Sequence, residues 1–297
     1  MRLWLWVLIA GGMSCCAATD LHAQVRSPIA LLDEQPLSVY VPQETPTLEQ
    51  LTNQGGVHFS LDTSYFSHYI FRGVDQTTAP LRNEKALQFN ARLDFDLGKL
   101  PHPFLGVFAN VFNNDPISRF EEVRPYFGLD WTIRPITIGA GYNSYVFPNR
   151  EGRDTQEVFM TLGIDDAAIF HTAHPFISPY VYGSYDYDKY DGFYLEAGVH
   201  HDFDIANTGL VLRGVADAAW VAHNRYFLDT NVHPQSTGFQ HYDVGLEATY
   251  DLKSVLGIPR RYGTWELKGY LYYTDSIQTR LRANSRVWGG VGLSFKY

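Results

Sequence analysis

Cysteine is nearly absent. The two in the chain, Cys15 and Cys16, stand side by side near its start, so nothing after them can form a disulfide or a thiolate metal site. Basic charge is also short, with 23 Lys and Arg against 32 Asp and Glu and a net charge of −9. A general nucleic-acid binder needs a basic face to neutralise phosphates, and that class is excluded. Beyond the first twenty-odd positions no apolar run approaches the ~18–20 residues of a membrane helix, which excludes a helical membrane protein. Methionine is rare, at 3 residues, whereas Tyr and Phe number 20 and 19. Aromatic side chains pack well on pleated surfaces and favour strands. The 297 residues allow one large domain or two ordinary ones.

The first residues have the layout of an export signal. Arg2 precedes the short apolar run 3–10, small residues follow, and Leu21-His22-Ala23 offers a cleavage point before Gln24. The run is too short for a stop-transfer helix. Gly12-Met13-Ser14-Cys15 puts a small residue before a cysteine but lacks the leucine of a lipid-anchor site. The expected organisation is a signal peptide over 1–23, a polar periplasmic arm over 24–55 and a barrel over 56–297. Pro28, Pro36, Pro42 and Pro46 punctuate the arm, which shows little periodicity.

From Val57 onward, alternation takes over. Leu87, Phe89, Ala91, Leu93, Phe95 and Leu97 fall on one face; Gln88, Asn90, Arg92, Asp94 and Asp96 fall on the other. A helix would mix these sets, because its period is 3.6 rather than 2. The same pattern recurs at 157–164, 242–251, 265–273 and 287–297. It predicts about twelve strands, near 57–72, 86–97, 103–112, 121–133, 135–146, 155–165, 175–187, 191–203, 208–222, 239–251, 262–274 and 286–297. Most exceed the ~5–6 residues of soluble strands and match the ~9–11 that cross a bilayer at a tilt.

The inward set is polar, where a small soluble barrel would be apolar inside. The apolar set ends in Trp131, Tyr142, Tyr182, Tyr250, Trp265 and Tyr273, as aromatic girdles do at membrane interfaces. The expected fold is therefore an all-β, transmembrane, antiparallel up-and-down β-barrel. An even strand count puts both termini at the periplasmic end. Connections near 73–85, 147–154, 223–238 and 275–285 would face outward.

Two stretches resemble known signals. Gly292, Leu293, Phe295 and Tyr297 are similar to the C-terminal insertion signal of bacterial outer-membrane barrels, with Tyr in place of the commoner Phe. Ser67-His68-Tyr69-Ile70-Phe71-Arg72-Gly73-Val74-Asp75-Gln76-Thr77 resembles the opening motif of the Gcw_chp or TorF-like group of outer-membrane porins. That resemblance implies a barrel and a pore, without naming a solute.

The expected function is passive diffusion of small hydrophilic solutes, with a cation preference. Arg72, Arg92, Asp94, Arg124, Asp130, Glu196, Glu247, Glu266 and Lys268 are the expected pore lining; Glu122 and Glu157 belong to the same inward set. A non-conducting barrel serving as anchor, adhesin or envelope-assembly partner is the first alternative. A barrel-embedded lipid hydrolase is the second: Ser236, His241 and Asp243 lie close in sequence, but no nucleophile motif surrounds them, and no enzymatic activity is expected. His200, His201, Asp202 and Asp204 split between two strand faces, so no metal site is expected, and no cofactor. Outer-membrane lipids, the barrel-assembly machinery and small hydrophilic solutes are the expected partners.

Overall fold

A computed structural model describes residues 56–77, 85–112, 120–148, 152–172, 175–206, 208–229 and 231–297. The expected signal and arm lie outside the described residues. In chain order the elements are β1 (Val57–Phe66), β2 (Ile70–Phe71), β3 (Val74–Asp75), β4 (Ala86–Phe95), β5 (His102–Phe112), β6 (Phe120–Ile133), β7 (Ile136–Tyr145), β8 (Thr155–Ile164) and α1 (Asp166–Phe170). Then come β9 (Tyr180–Asp186), β10 (Gly192–Ile205), β11 (Leu210–Ala222), β12 (Gly238–Asp251), α2 (Lys253–Leu256), β13 (Thr264–Ser276) and β14 (Arg286–Lys296).

Twelve of these strands, all but β2 and β3, close an antiparallel barrel in which each is paired with its sequence neighbour. β14 returns to β1 with Leu61 opposite Phe295 and Phe66 opposite Gly290. The start of β1 and the end of β14 share one end of the barrel with short links such as Arg134-Pro135. The two longer links at that end carry α1 and α2. Asp166 fastens the first of them by accepting the backbone N–H groups of Phe176 and Ile177, at 3.0 and 2.7 Å.

The outer wall is apolar. Phe127, Leu129, Met160, Leu195, Leu246, Leu271 and Val291 are all exposed. Trp131 and Trp265 mark this face toward the end where β1 starts, and Tyr273 toward the other. Tyr182 departs from the expected girdle: it is 4% exposed and faces the lumen, where its hydroxyl bonds Glu157 at 3.2 Å. An amphipathic ring satisfies either face, and the buried carboxylate decides this one.

The inner wall combines charge with flat-lying rings. Gly245 stands opposite Tyr272, and a Cβ there would meet the Tyr272 ring at 2.2 Å. Gly106 and Tyr126 repeat the arrangement across β5 and β6. Glycine thus lets an aromatic ring lie against the wall instead of projecting across the lumen.

The first strand is shorter than its alternation predicts. β1 ends at Phe66 rather than near 72, and 67–77 turns back into the barrel as the β2–β3 hairpin. Phe71 pairs with Val74 and Ile70 with Asp75. The two turn residues, Arg72 and Gly73, have φ of 48° and 71°, the left-handed pair of a type I′ turn. Gly73 suits this backbone, and a Cβ there would strike the His241 ring at 2.5 Å.

Candidate functional site

The hairpin crosses the lumen near the end away from the start of β1. Its tip residue Arg72 is 7% exposed. The guanidinium donates to Glu157 on β8 at 2.8 and 3.1 Å and to Ser184 on β9 at 2.9 Å. It also lies 4.5 Å from the Tyr194 ring centroid on β10. Gln240 on β12 donates to the Arg72 carbonyl at 2.6 Å. Tyr69 donates to Glu122 on β6 at 2.6 Å. On the far side Asp75 accepts from Arg286 on β14 at 3.0 Å, and Asn284 accepts the Asp75 N–H at 2.8 Å. Apolar contact adds to this: Ile70 and Val74 are 3% and 1% exposed and belong to the buried apolar cluster.

Beside the hairpin a cavity of about 50 Å³ remains against β5–β9, bordered by Phe71, Arg72, Glu122, Tyr145, Glu157 and Tyr190. That is room for about three or four waters. Burial raises the pKa of the Tyr190 hydroxyl, with Arg153 opposing the shift. The ring stays a neutral hydrogen-bonding group.

Further along the lumen, charges occur in partnered sets. Arg92 bonds Asp94 at 2.5 Å and Asp130 at 2.7 Å and covers the Phe104 ring at 3.9 Å. Arg124 lies 3.3 Å from Glu122. Lys268 reaches Asp62 at 2.7 Å and Lys296 reaches Glu266 at 2.8 Å. Glu196 accepts from Tyr180 and Tyr194, at 3.0 and 2.8 Å, and Glu247 accepts from Tyr272 at 2.6 Å. All nine residues expected to line a pore therefore have a polar partner on the inner side of the barrel. Arg72 does so from the hairpin rather than from a wall strand.

Apolar outside and ionic inside is the reverse of a soluble barrel. This is an outer-membrane β-barrel. With short turns on the periplasmic side, the hairpin lies at the outward-facing mouth. Tyr226 and Phe227, from the expected outward loop at 223–238, pack over it: Gln76 reaches the Tyr226 hydroxyl at 2.5 Å, and Phe227 is fully buried.

Of the remaining sequence candidates, Gly292 lies against Ser64. Leu293 and Tyr297 are exposed, and Phe295 packs on Trp265 with centroids 4.6 Å apart. His200 is buried in the lumen, while Asp202 pairs with Arg213 at 2.5 Å and His201 bonds the Phe176 carbonyl at 2.6 Å. The hydrolase trio is not assembled on the lipid face. His241 is 1% exposed and points inward, with its ring nitrogens facing Gln240 and Asp243.

Sequence reasoning missed the segment that turns His241 and Gln240 inward together. Opposite Ala219, β12 places both residues where one would stand, because the register shifts between Ala218–Tyr242 and Trp220–Phe239. Such a bulge re-aims side chains, and strict alternation cannot show it.

No family model matches the chain, and no curated protein matches it. The resemblance to the Gcw_chp or TorF-like group rests on 67–77 alone. Among solved structures, an outer-membrane channel from Pseudomonas putida F1 is similar at 9% identity and TM-score 0.48, covering 86% of this chain and all of that one. Outer membrane phospholipase A from Escherichia coli gives 12% and 0.42, covering 80% and 92%. A FadL homologue from Pseudomonas aeruginosa gives 9% and 0.41, covering 93% and 99%.

Proposed function

We propose that the barrel is a diffusion channel for small hydrophilic solutes, closed at its outer mouth by the 67–77 hairpin and opened when the hairpin leaves. The observation that carries this reading is a set of buried polar groups that the closed conformation leaves without hydrogen bonds. Among the described residues, the side-chain amides of Gln88 and Asn110 have no protein partner, nor do the ring nitrogens of His200 or the hydroxyls of Ser64 and Ser294. Ser64, Gln88 and Asn110 form one row across β1, β4 and β5.

Buried polar groups are satisfied in roughly nine cases of ten, and each orphan costs about 1–3 kcal/mol. Ile70 and Val74 favour closure by about 1.5–3 kcal/mol each. The orphaned groups oppose the burial of Ile70 and Val74, so the hairpin is held but not locked. Water entering an open lumen would satisfy the row.

Cation preference follows from Glu196 and Glu247, which tyrosine hydroxyls hold in the lumen. In a planar bilayer under a salt gradient, openings should be infrequent and carry a cation-selective reversal potential. Glu266→Lys, at the inner mouth, should move that potential toward the anion side. An unchanged potential would remove the lumen charges from the conduction path.

A permanently sealed barrel is the second reading, favoured by the apolar packing of Ile70, Val74 and Phe227. It predicts no openings under any voltage.

A further inference from the structure

One polar cluster in the lumen has a geometry that calls for a cation. Asp217 on β11 stands directly opposite Asp243 on β12. Ligand atoms of Asp217, His241 and Asp243 all lie within 4.8 Å of one another.

The hydrogen bonds fix which histidine nitrogen faces the carboxylates. Gln240 Nε2 donates to two carbonyls, Arg72 at 2.6 Å and Arg282 at 2.9 Å. Its amide oxygen is therefore the atom 2.9 Å from His241 Nδ1. An amide oxygen only accepts, so Nδ1 carries a hydrogen, and Nε2 is the nitrogen 3.3 Å from Asp243 Oδ2. In the neutral tautomer a lone pair faces a carboxylate, a contact that a shared proton or a metal ion between them relieves.

Asp243 is itself oriented. Its Oδ1 accepts from the Thr274 hydroxyl, which in turn accepts from Trp288 Nε1 at 2.9 Å. Tyr194 stacks on the imidazole with centroids 6.3 Å apart. Glu196 lies within electrostatic reach of both His241 and Asp243, so three carboxylates surround the one imidazole. Buried charge of that kind is costly unless compensated.

We propose that Asp217, His241 and Asp243 hold a divalent metal ion of the zinc class inside the lumen, against the tip of the hairpin. One imidazole nitrogen with two carboxylate oxygens is a borderline donor set. It suits Zn²⁺ or Mn²⁺ better than Ca²⁺ and Mg²⁺, which take oxygen ligands. A carbonyl on the remote ring N–H is the usual outer support of a metal-bound histidine, and Gln240 supplies it. Because Gln240 also holds the Arg72 carbonyl, the ion would brace the hairpin in place. The site stands whether or not the barrel conducts.

The test is calorimetric titration of Zn²⁺ into the chelator-stripped, detergent-folded barrel. One equivalent should bind, with Ca²⁺ and Mg²⁺ failing to compete. Asp217→Asn and His241→Gln should each weaken uptake by about tenfold or more, whereas His201→Gln, at a half-buried histidine bonded to the Phe176 carbonyl, should leave it unchanged. Co²⁺ added to the unmutated barrel should give ligand-field bands that Zn²⁺ abolishes, a readout that survives if a variant fails to fold. Absence of uptake by the unmutated barrel would overturn the proposal in favour of a protonated His241 as the cation. Uptake unaffected in folded Asp217→Asn and His241→Gln barrels would also overturn it.

Discussion

Replacing Arg72 with alanine should raise the open probability of the barrel by about 30- to 150-fold. Breaking a buried ion pair costs about 3–5 kcal/mol when one charge is left behind. Here Glu157 keeps hydrogen bonds from Asn143, Tyr145 and Tyr182, at 2.8, 2.7 and 3.2 Å. A loss of about 2–3 kcal/mol from the closed state is the more appropriate figure, and each 1.4 kcal/mol is a factor of ten. The open state loses little, because both groups are hydrated there. Arg72 also occupies a left-handed backbone position at φ 48°, conformational strain that its ion pair offsets. Single-channel recording measures the ratio directly. Equal open probabilities for the two proteins would mean that the hairpin is held by its apolar residues alone.

The opposite behaviour is expected at Arg92. This side chain belongs to wall strand β4 and cannot leave the lumen as the hairpin can. Its removal takes from Asp130, which is 6% exposed, the ion partner it holds at 2.7 Å, so Arg92→Ala should reduce unfolding stability by about 3–5 kcal/mol. Loss of the ring contact with Phe104 at 3.9 Å adds to this by about 0.5–2 kcal/mol. Asp94 is more exposed and can turn to water. Pairing Arg92→Met with Asp130→Leu should recover most of the loss, because apolar residues often replace a buried ion pair without penalty. Urea unfolding in detergent gives both values. A deficit below about 1 kcal/mol, the scale of an exposed pair, would show that the lumen is already wet at this depth.

The contrast between these residues marks what the sequence could reveal. Barrel strands are legible because side chains alternate strictly, and 87–97 is unambiguous with Arg92 and Asp94 on the polar face. The hairpin was not legible. Tyr69, Phe71 and Gly73 alternate with Ile70, Arg72 and Val74 as a strand would, and only the distant partners Glu157 and Gln240 reveal that the chain turns inward. Tyr182 read as a girdle residue because a tyrosine serves either face. Asp217 drew no notice because its relation to Asp243 depends on register between strands. The bulge that brings Gln240 beside His241 adds a residue to the period and leaves no local mark.

The most direct test removes the hairpin altogether. Phe66 and Ala86 are paired across β1 and β4, so a two-residue Asn-Gly turn can replace 67–85 without disturbing the wall ladder. Bilayer recordings should then show a barrel that remains open and cation-selective, against infrequent openings of the full chain. A folded, membrane-inserted barrel that stays silent without 67–85 would contradict the account. The seal would then lie in the ionic network of the lumen rather than in the hairpin.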